Sequence, residues 1–154
     1  IDGYWRSQGI IFRRGDTRFA GRTPAEIVAK AVADPQCTMV NRNQGSGTRV
    51  LIDRLLGGAR PSGYAIQPGN HNAVAAAIVQ GRADWGLAIE SVARANDLDF
   101  VPYQMERYDF VVPKARINRP AVQAFVNLLH ADATRGRLSE LGLTLGPKDQ
   151  TTAG

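Results

Sequence analysis

One stretch constrains this fold more than any other. The apolar run Cys37-Thr38-Met39-Val40 must turn through Asn41-Arg42-Asn43-Gln44-Gly45-Ser46-Gly47-Thr48-Arg49 into a helix. Val50, Leu51, Ile52, Leu55 and Leu56 recur at helical spacing and Gly57-Gly58 stops the run, so Ser46 falls where an N-cap belongs. The first turn of a helix leaves N–H groups without partners and carries the positive end of the macrodipole. Such a turn is a socket for an anion. Capping alone is a common, purely structural use of a serine here. Two hydroxyls, two glycines and two guanidinium groups, from Arg42 to Arg49, exceed what a cap requires and favour the anion site. A Walker-type nucleotide loop is disfavoured because the Lys-Ser/Thr pair is missing, and a nucleophile elbow is disfavoured because Gly-Ser-Gly lacks its spacers.

A chain of 154 residues, 44% of them apolar, can bury a real core in one domain or in two small lobes sharing strands. No apolar run approaches membrane-spanning length, and no signal peptide is visible. The chain begins Ile1-Asp2-Gly3 without an initiator methionine, which leaves targeting open; a cytoplasmic location is the expectation and a periplasmic one the alternative. The single cysteine, Cys37, forms no intrachain disulfide and supplies no metal pair, so it is expected as a buried, inert thiol. The net charge of +5 comes mostly from dispersed arginines, with no basic run and no interleaved aromatics. Direct nucleic-acid binding is therefore not expected, whereas a positive field suits small anions.

Strands are expected at Gly9-Ile10-Ile11-Phe12, Cys37 to Val40, Tyr64-Ala65-Ile66, Ala83 to Ile89, Phe100-Val101-Pro102 and Tyr108 to Val112. Thr23-Pro24-Ala25-Glu26 is a capping box opening a helix that Pro35 ends. Asn70 caps a helix running to Gly81, a short helix starts at Glu90 or Ser91, and two more follow, one with Val122, Phe125, Val126 and Leu129 on one face and one around Arg137 to Leu141. The tail from Gly146 is polar and expected to fray. Alternating strands and helices predict an α/β fold, a mostly parallel sheet flanked by helices, with ligands at the carboxyl ends of strands.

Asn41 to Leu56, His71 to Ala77, Gly81-Arg82-Ala83-Asp84-Trp85-Gly86-Leu87 and Asp99-Phe100-Val101-Pro102 with Glu106-Arg107-Tyr108-Asp109 together resemble a substrate-binding-like domain of type II periplasmic-binding-protein fold. That family is attached to molybdopterin biosynthesis proteins and some helix-turn-helix regulators. The resemblance implies a domain over residues 1–145: lobe two at about 14–106, crossover strands at 9–13 and 107–112, C-terminal helices of lobe one at 115–145, and a flexible tail at 146–154. The resemblance also leads one to expect that the N-terminal part of lobe one is lacking. It implies binding of molybdate or tungstate, in sensing or delivery linked to molybdenum cofactor biosynthesis or molybdate transport, with no catalysis and no cofactor. A homodimer, a fused molybdopterin-synthesis (molybdotransferase) or helix-turn-helix domain, and the absence of membrane insertion complete that expectation. The alternative is the effector-binding domain of a transcription regulator recognising a small organic acid.

The turn from Arg42 to Thr48 also resembles the R-x-D-G-S-G-T turn of phosphate-binding proteins. Arg42, Ser46, Gly47 and Thr48 match ligand-contacting positions, and Gln44 stands where those proteins place an aspartate. Phosphate keeps a proton to donate to that carboxylate; molybdate, tungstate and sulfate have none and would be repelled. The expected ligand-binding set is Arg42, Gln44, Gly45, Ser46, Gly47, Thr48, Arg49, Asn70 and His71. For Asn70 and His71 the alternative is a cap and a polar first-turn residue. Arg13, Glu90, Ser91 and Tyr108 are secondary candidates, with surface or hinge roles as the alternative. Trp85 reads as core packing. The acidic residues Asp97, Asp99, Glu106 and Asp109 lack calcium or zinc spacing, so no metal site is expected. His130 ends a helix, where a cation complements the dipole. A hydrolase using Ser46 and His71 ranks last, because nothing orders nucleophile, base and orienter.

Overall fold

The computed structural model describes residues 1–145. The chain divides into two compact units, Ser7–Gln104, and Ile1–Arg6 together with the described residues from Met105 onward. Strands β1 (Tyr4–Arg13) and β4 (Leu98–Tyr108) run through both. The larger unit also holds helix α1 (Pro24–Ala33), β2 (Met39–Val40), α2 (Gly47–Leu56), α3 (His71–Val79), β3 (Trp85–Ile89) and α4 (Glu90–Ala95). The smaller holds a 3-10 turn at Lys114–Arg116, α5 (Pro120–His130), α6 (Asp132–Glu140) and β5 (Thr144–Leu145). No helix among the described residues is long and apolar enough to cross a membrane.

The sheet runs in the order β2-β3-β1-β4. β2 pairs β3 in parallel, Met39 opposite Trp85, while β3 pairs β1 antiparallel, Gln8 opposite Ile89 and Phe12 opposite Trp85. The α/β class expected from the alternation of elements holds, but the sheet is mixed rather than mostly parallel, because β1 enters from the opposite end. Period-2 alternation then sorts the core onto two faces. Ile10, Phe12, Met39, Trp85 and Leu87 pack with Phe19 and with Ile27, Val28, Ile52 and Leu56 of α1 and α2. Ile11, Val40 and Ala88 pack with Val74, Ala75 and Ile78 of α3 and Ala93 of α4. Trp85 and Phe12 are almost fully buried, as core packing demands. Cys37 is buried too, and burial pushes its thiol up to about 11, which leaves it inert near neutral pH.

The capping box forms: Thr23 N–H donates to Glu26, and Thr23 Oγ1 accepts from the Glu26 N–H. Gly57, at φ +57°, closes α2 by donating to the Asp53 and Arg54 carbonyls.

Two strand expectations are corrected. Residues 62–65 form turns, with Tyr64 N–H donating to Pro61 and Ile66 N–H to Gly63. The stretch nonetheless lies along β2 on one side, since Ser62, Ile66 and Pro68 carbonyls accept from Met39, Asn41 and Asn43. Residues 98–108 form one continuous strand, and the expected strand at 107–112 stops at Tyr108. Pro102 is accommodated within it because β4 is an edge strand, where proline's missing donor is tolerated. The last helix starts earlier than expected, at Asp132. The expected tail at 146–154 lies outside the described residues.

In the smaller unit Tyr4 stacks on Tyr108 with centroids 5.4 Å apart, and Phe110 meets Phe125 of α5 edge-on at 4.9 Å. β5 pairs β1 antiparallel, Tyr4 opposite Leu145.

Candidate functional site

The carboxyl end of β2 delivers the chain into Asn41, which is fully buried. Asn41 Oδ1 accepts from the Arg42 N–H (2.8 Å) and Nδ2 donates to the Tyr64 carbonyl (3.2 Å), so the turn leaves the sheet in a set direction. Gly45 adopts φ +81°, a left-handed conformation that favours glycine, and the chain reverses there into α2. Ser46 caps that helix as expected. Its Oγ accepts from the Arg49 N–H at 3.2 Å and donates to the Asn43 carbonyl at 3.0 Å. Both functions of the hydroxyl are therefore engaged in the turn itself.

The donors left over are backbone groups. Among the described residues, no hydrogen-bond acceptor meets the N–H groups of Gly47 and Thr48 in the first turn of α2. Gly47 is exposed, and no heavy atom lies within 4 Å of where a Cβ would stand. Gln44 and Gly45 are exposed beside it, and Thr48 is buried.

A second helix begins alongside. The N–H of Asn43 donates to the Pro68 carbonyl at 3.3 Å, tying the turn before α2 to the turn before α3. Asn70 caps α3, its Oδ1 accepting from the Ala73 N–H at 2.8 Å. Arg42 joins the two starts. Only 7% exposed, it donates from Nη1 to Nδ1 of His71 (3.2 Å) and from Nη2 to the Gly69 carbonyl (3.2 Å). A guanidinium has only donors, so Nδ1 of a neutral His71 accepts and the ring proton sits on Nε2. Arg42 thus forms the physical bridge between the turns that start the two helices. Two positive dipole ends and a buried guanidinium meet at the carboxyl side of the parallel strand pair.

Arg49 has a different place. Also 7% exposed, it donates to Asp53 (2.8 Å), to the Arg42 carbonyl (3.2 Å) and to the Tyr64 hydroxyl (2.6 Å). Burial disfavours its charge, but the bonds from Asp53 and Tyr64 outweigh it and hold the guanidinium ionised. Its donors point into the protein, under the turn. Asn41, Asp53 and Tyr64 were not expected as contributors. Asp53 was legible as the i+4 partner of Arg49, whereas Tyr64 carries no local signal.

The secondary candidates scatter. Glu90 pairs with Arg94 on α4 at 2.5 Å. Arg13 is committed at the opposite end of the sheet, donating to the carbonyls of Ile78 and Ala83 and to Asp84 (2.8 Å). Asp84 also accepts from Arg18 (2.7 Å) and from the Thr38 N–H (2.8 Å). Burial works against the Asp84 charge, yet these donors hold its carboxyl below the ordinary range; hydrogen bonds from Arg18 do the same for Asp16. Ser46 Oγ is bonded to Asn43 and Arg49 rather than to His71, which removes a serine–histidine pair. Among the described residues, no group of three His, Cys, Asp or Glu side chains converges as a metal site.

Comparison with known proteins places this geometry in context. The chain is 35% identical over 108 residues to the uncharacterized protein YvgK of Bacillus subtilis, a match covering 67% of this chain and 34% of that protein. It thus spans about a third of that relative's length. It is 31% identical over 99 residues to an uncharacterized protein in the ferredoxin 2Fe-2S gene 5′ region of Clostridium pasteurianum, covering 60% of this chain and 88% of that one. Among solved structures, the tungstate binding protein TupA from Desulfovibrio alaskensis G20 superposes with a TM-score of 0.60 at 17% identity, covering 96% of this chain and 70% of that one. The ancestral amino acid-binding protein AncCDT-1 gives 0.57 at 17% identity, covering 90% of this chain and 58% of that one. PEB3 bound to L-phospholactate gives 0.65 at 10% identity, covering 95% of this chain and 68% of that one. These likenesses establish the fold, and their ligands differ. A family model described as a PBP superfamily domain matches residues 1–130, and the chain belongs to that superfamily.

Proposed function

We propose that this chain binds a small, fully ionised tetrahedral oxyanion, molybdate or tungstate, at the paired N-termini of α2 and α3. The observation that carries the reading is the buried Arg42, which bridges His71 and Gly69 at 3.2 Å at the start of α3, taken with the first-turn N–H groups of Gly47 and Thr48 in α2, unpaired among the described residues. An oxyanion there would accept charge-assisted hydrogen bonds from backbone donors already fixed in direction. The Gly47 and Thr48 amides come first, since the Ser46 hydroxyl is engaged in its turn. Gln44, exposed at the rim, brings no negative charge, which suits an anion without a proton. The tungstate and phospholactate ligands of two structural neighbours agree with an anionic ligand class. The role is binding, in sensing or delivery linked to molybdenum cofactor biosynthesis or molybdate transport, within a larger or dimeric assembly.

Calorimetric titration of molybdate, tungstate, sulfate and phosphate at low salt tests this. Gly47→Pro is the informative variant, because proline at the first helical position removes one N–H while preserving the helix. Molybdate or tungstate should bind best, and Gly47→Pro should weaken binding roughly tenfold with little change in Tm. Tighter binding of phosphate than of molybdate would overturn the dianion assignment. Tight binding of a small organic acid, with none of the four inorganic anions bound, would favour an effector domain, a reading that the amino acid-binding and phospholactate-bound neighbours support.

A further inference from the structure

We infer that Arg49, Asp53 and Tyr64 form a brace that positions the oxyanion donors without touching the ligand, an inference resting on the binding reading above. The geometry is a closed circuit. Asn41 at the strand end holds the Tyr64 carbonyl, the Tyr64 hydroxyl donates to Asp53 (3.0 Å), Asp53 accepts from Arg49, and Arg49 donates back to the carbonyl of Arg42. Arg49 also donates to the Tyr64 hydroxyl and lies 4.7 Å from the centroid of that ring. Arg60 covers the ring as well, at 5.5 Å.

The consequence concerns Arg42. Its backbone carbonyl is pinned from below by Arg49 and its N–H by Asn41, so the side chain leaves for His71 and Gly69 from a fixed Cα. The same guanidinium stands on the third residue of α2, two residues after Gly47, so the brace and the amide donors share one helical turn. Lysine at position 49 would keep the charge, yet it could not reach three acceptors lying in different directions. Arg49 is a positioning residue here, and its charge is not what the ligand meets.

Tyr64→Phe isolates this role. It removes two hydrogen bonds, keeps the ring under both guanidinium groups and changes no charge. Tungstate and molybdate affinity should fall roughly fivefold to tenfold in Tyr64→Phe. The slope of affinity against salt should stay that of the wild type, and the Gly47 and Thr48 amide resonances of the unliganded protein should shift in an NMR correlation spectrum. Arg49→Lys should lose affinity at least as strongly despite its retained charge. Wild-type tungstate affinity in both variants, with unmoved Gly47 and Thr48 amides, overturns the brace while leaving the binding reading intact. A wild-type chain that binds neither tungstate nor molybdate overturns the reading and the brace together.

Discussion

The two ends of the parallel pair β2–β3 use the same residue type for opposite purposes. At the start of β3, Arg13 and Arg18 converge on Asp84, and Arg18 also holds Asp16, so guanidinium groups meet carboxylates. At the far end, Arg42 and Arg49 are more deeply buried, and their partners include carbonyls, an imidazole, a phenol and the carboxylate of Asp53. Two helix N-termini add further positive potential there. The difference teaches that the number of arginines does not locate an anion site; the acceptors assigned to them do. One end is internally neutralised and acts as a fastening. The other leaves the Gly47 and Thr48 amides without an acceptor among the described residues.

Asp84→Ala tests the fastening and carries the largest expected effect. It strips two arginines of a shared, mostly buried partner and leaves the Thr38 N–H unpaired, so unfolding in urea should show a loss of about 3 kcal/mol. Oxyanion affinity of the folded fraction should be unchanged. A large affinity loss would show that the two ends are coupled and the contrast false.

Arg42→Met tests the other end. Tungstate affinity should fall roughly 30-fold, about 2 kcal/mol, as calorimetry would read it. Retained affinity would move the site away from the bridge between α2 and α3.

The smallest effect is acid dependence. Asp84 and Asp16 titrate below their ordinary value of 3.8 in the folded protein. Their stabilisation is therefore complete above that value and is lost as pH falls through the lower folded ones. Chemical denaturation between pH 6 and 2 should show this loss, shallower in Asp84→Ala. Equal slopes in both proteins would assign the acid sensitivity elsewhere.

What could be read from the sequence was local chemistry. Ser46, Thr23 and Asn70 announce themselves as caps because each hydroxyl or amide serves an N–H three residues on. Ile10, Ile11 and Phe12 reveal a strand through apolar content, and their alternation between two cores follows from the pleat. The illegible parts depend on distant partners. Tyr64 reaches Arg49 across a separation of 15 residues that includes the rest of α2, and the stretch 62–68 pairs with β2 on one side only, without strand periodicity of its own. That one strand runs on through Pro102 from Leu98 to Tyr108 depends on its being an edge, which is a property of the finished sheet. At the candidate site, the residue types near Arg42 were evident. Their division into outward-facing donors and an inward brace was not, since only the fold says which way a guanidinium is turned.

The placement of the tryptophans has an optical consequence. Trp85 is wholly enclosed in the larger unit with its Nε1–H unpaired, whereas Trp5 is 38% exposed and belongs to the smaller unit. These are the chain's only two indoles. One fluoresces from a dry interior and the other from beside water, so emission colour separates them without a label. Each unit carries its own lamp, and the loosening of either can be watched while the other stays lit.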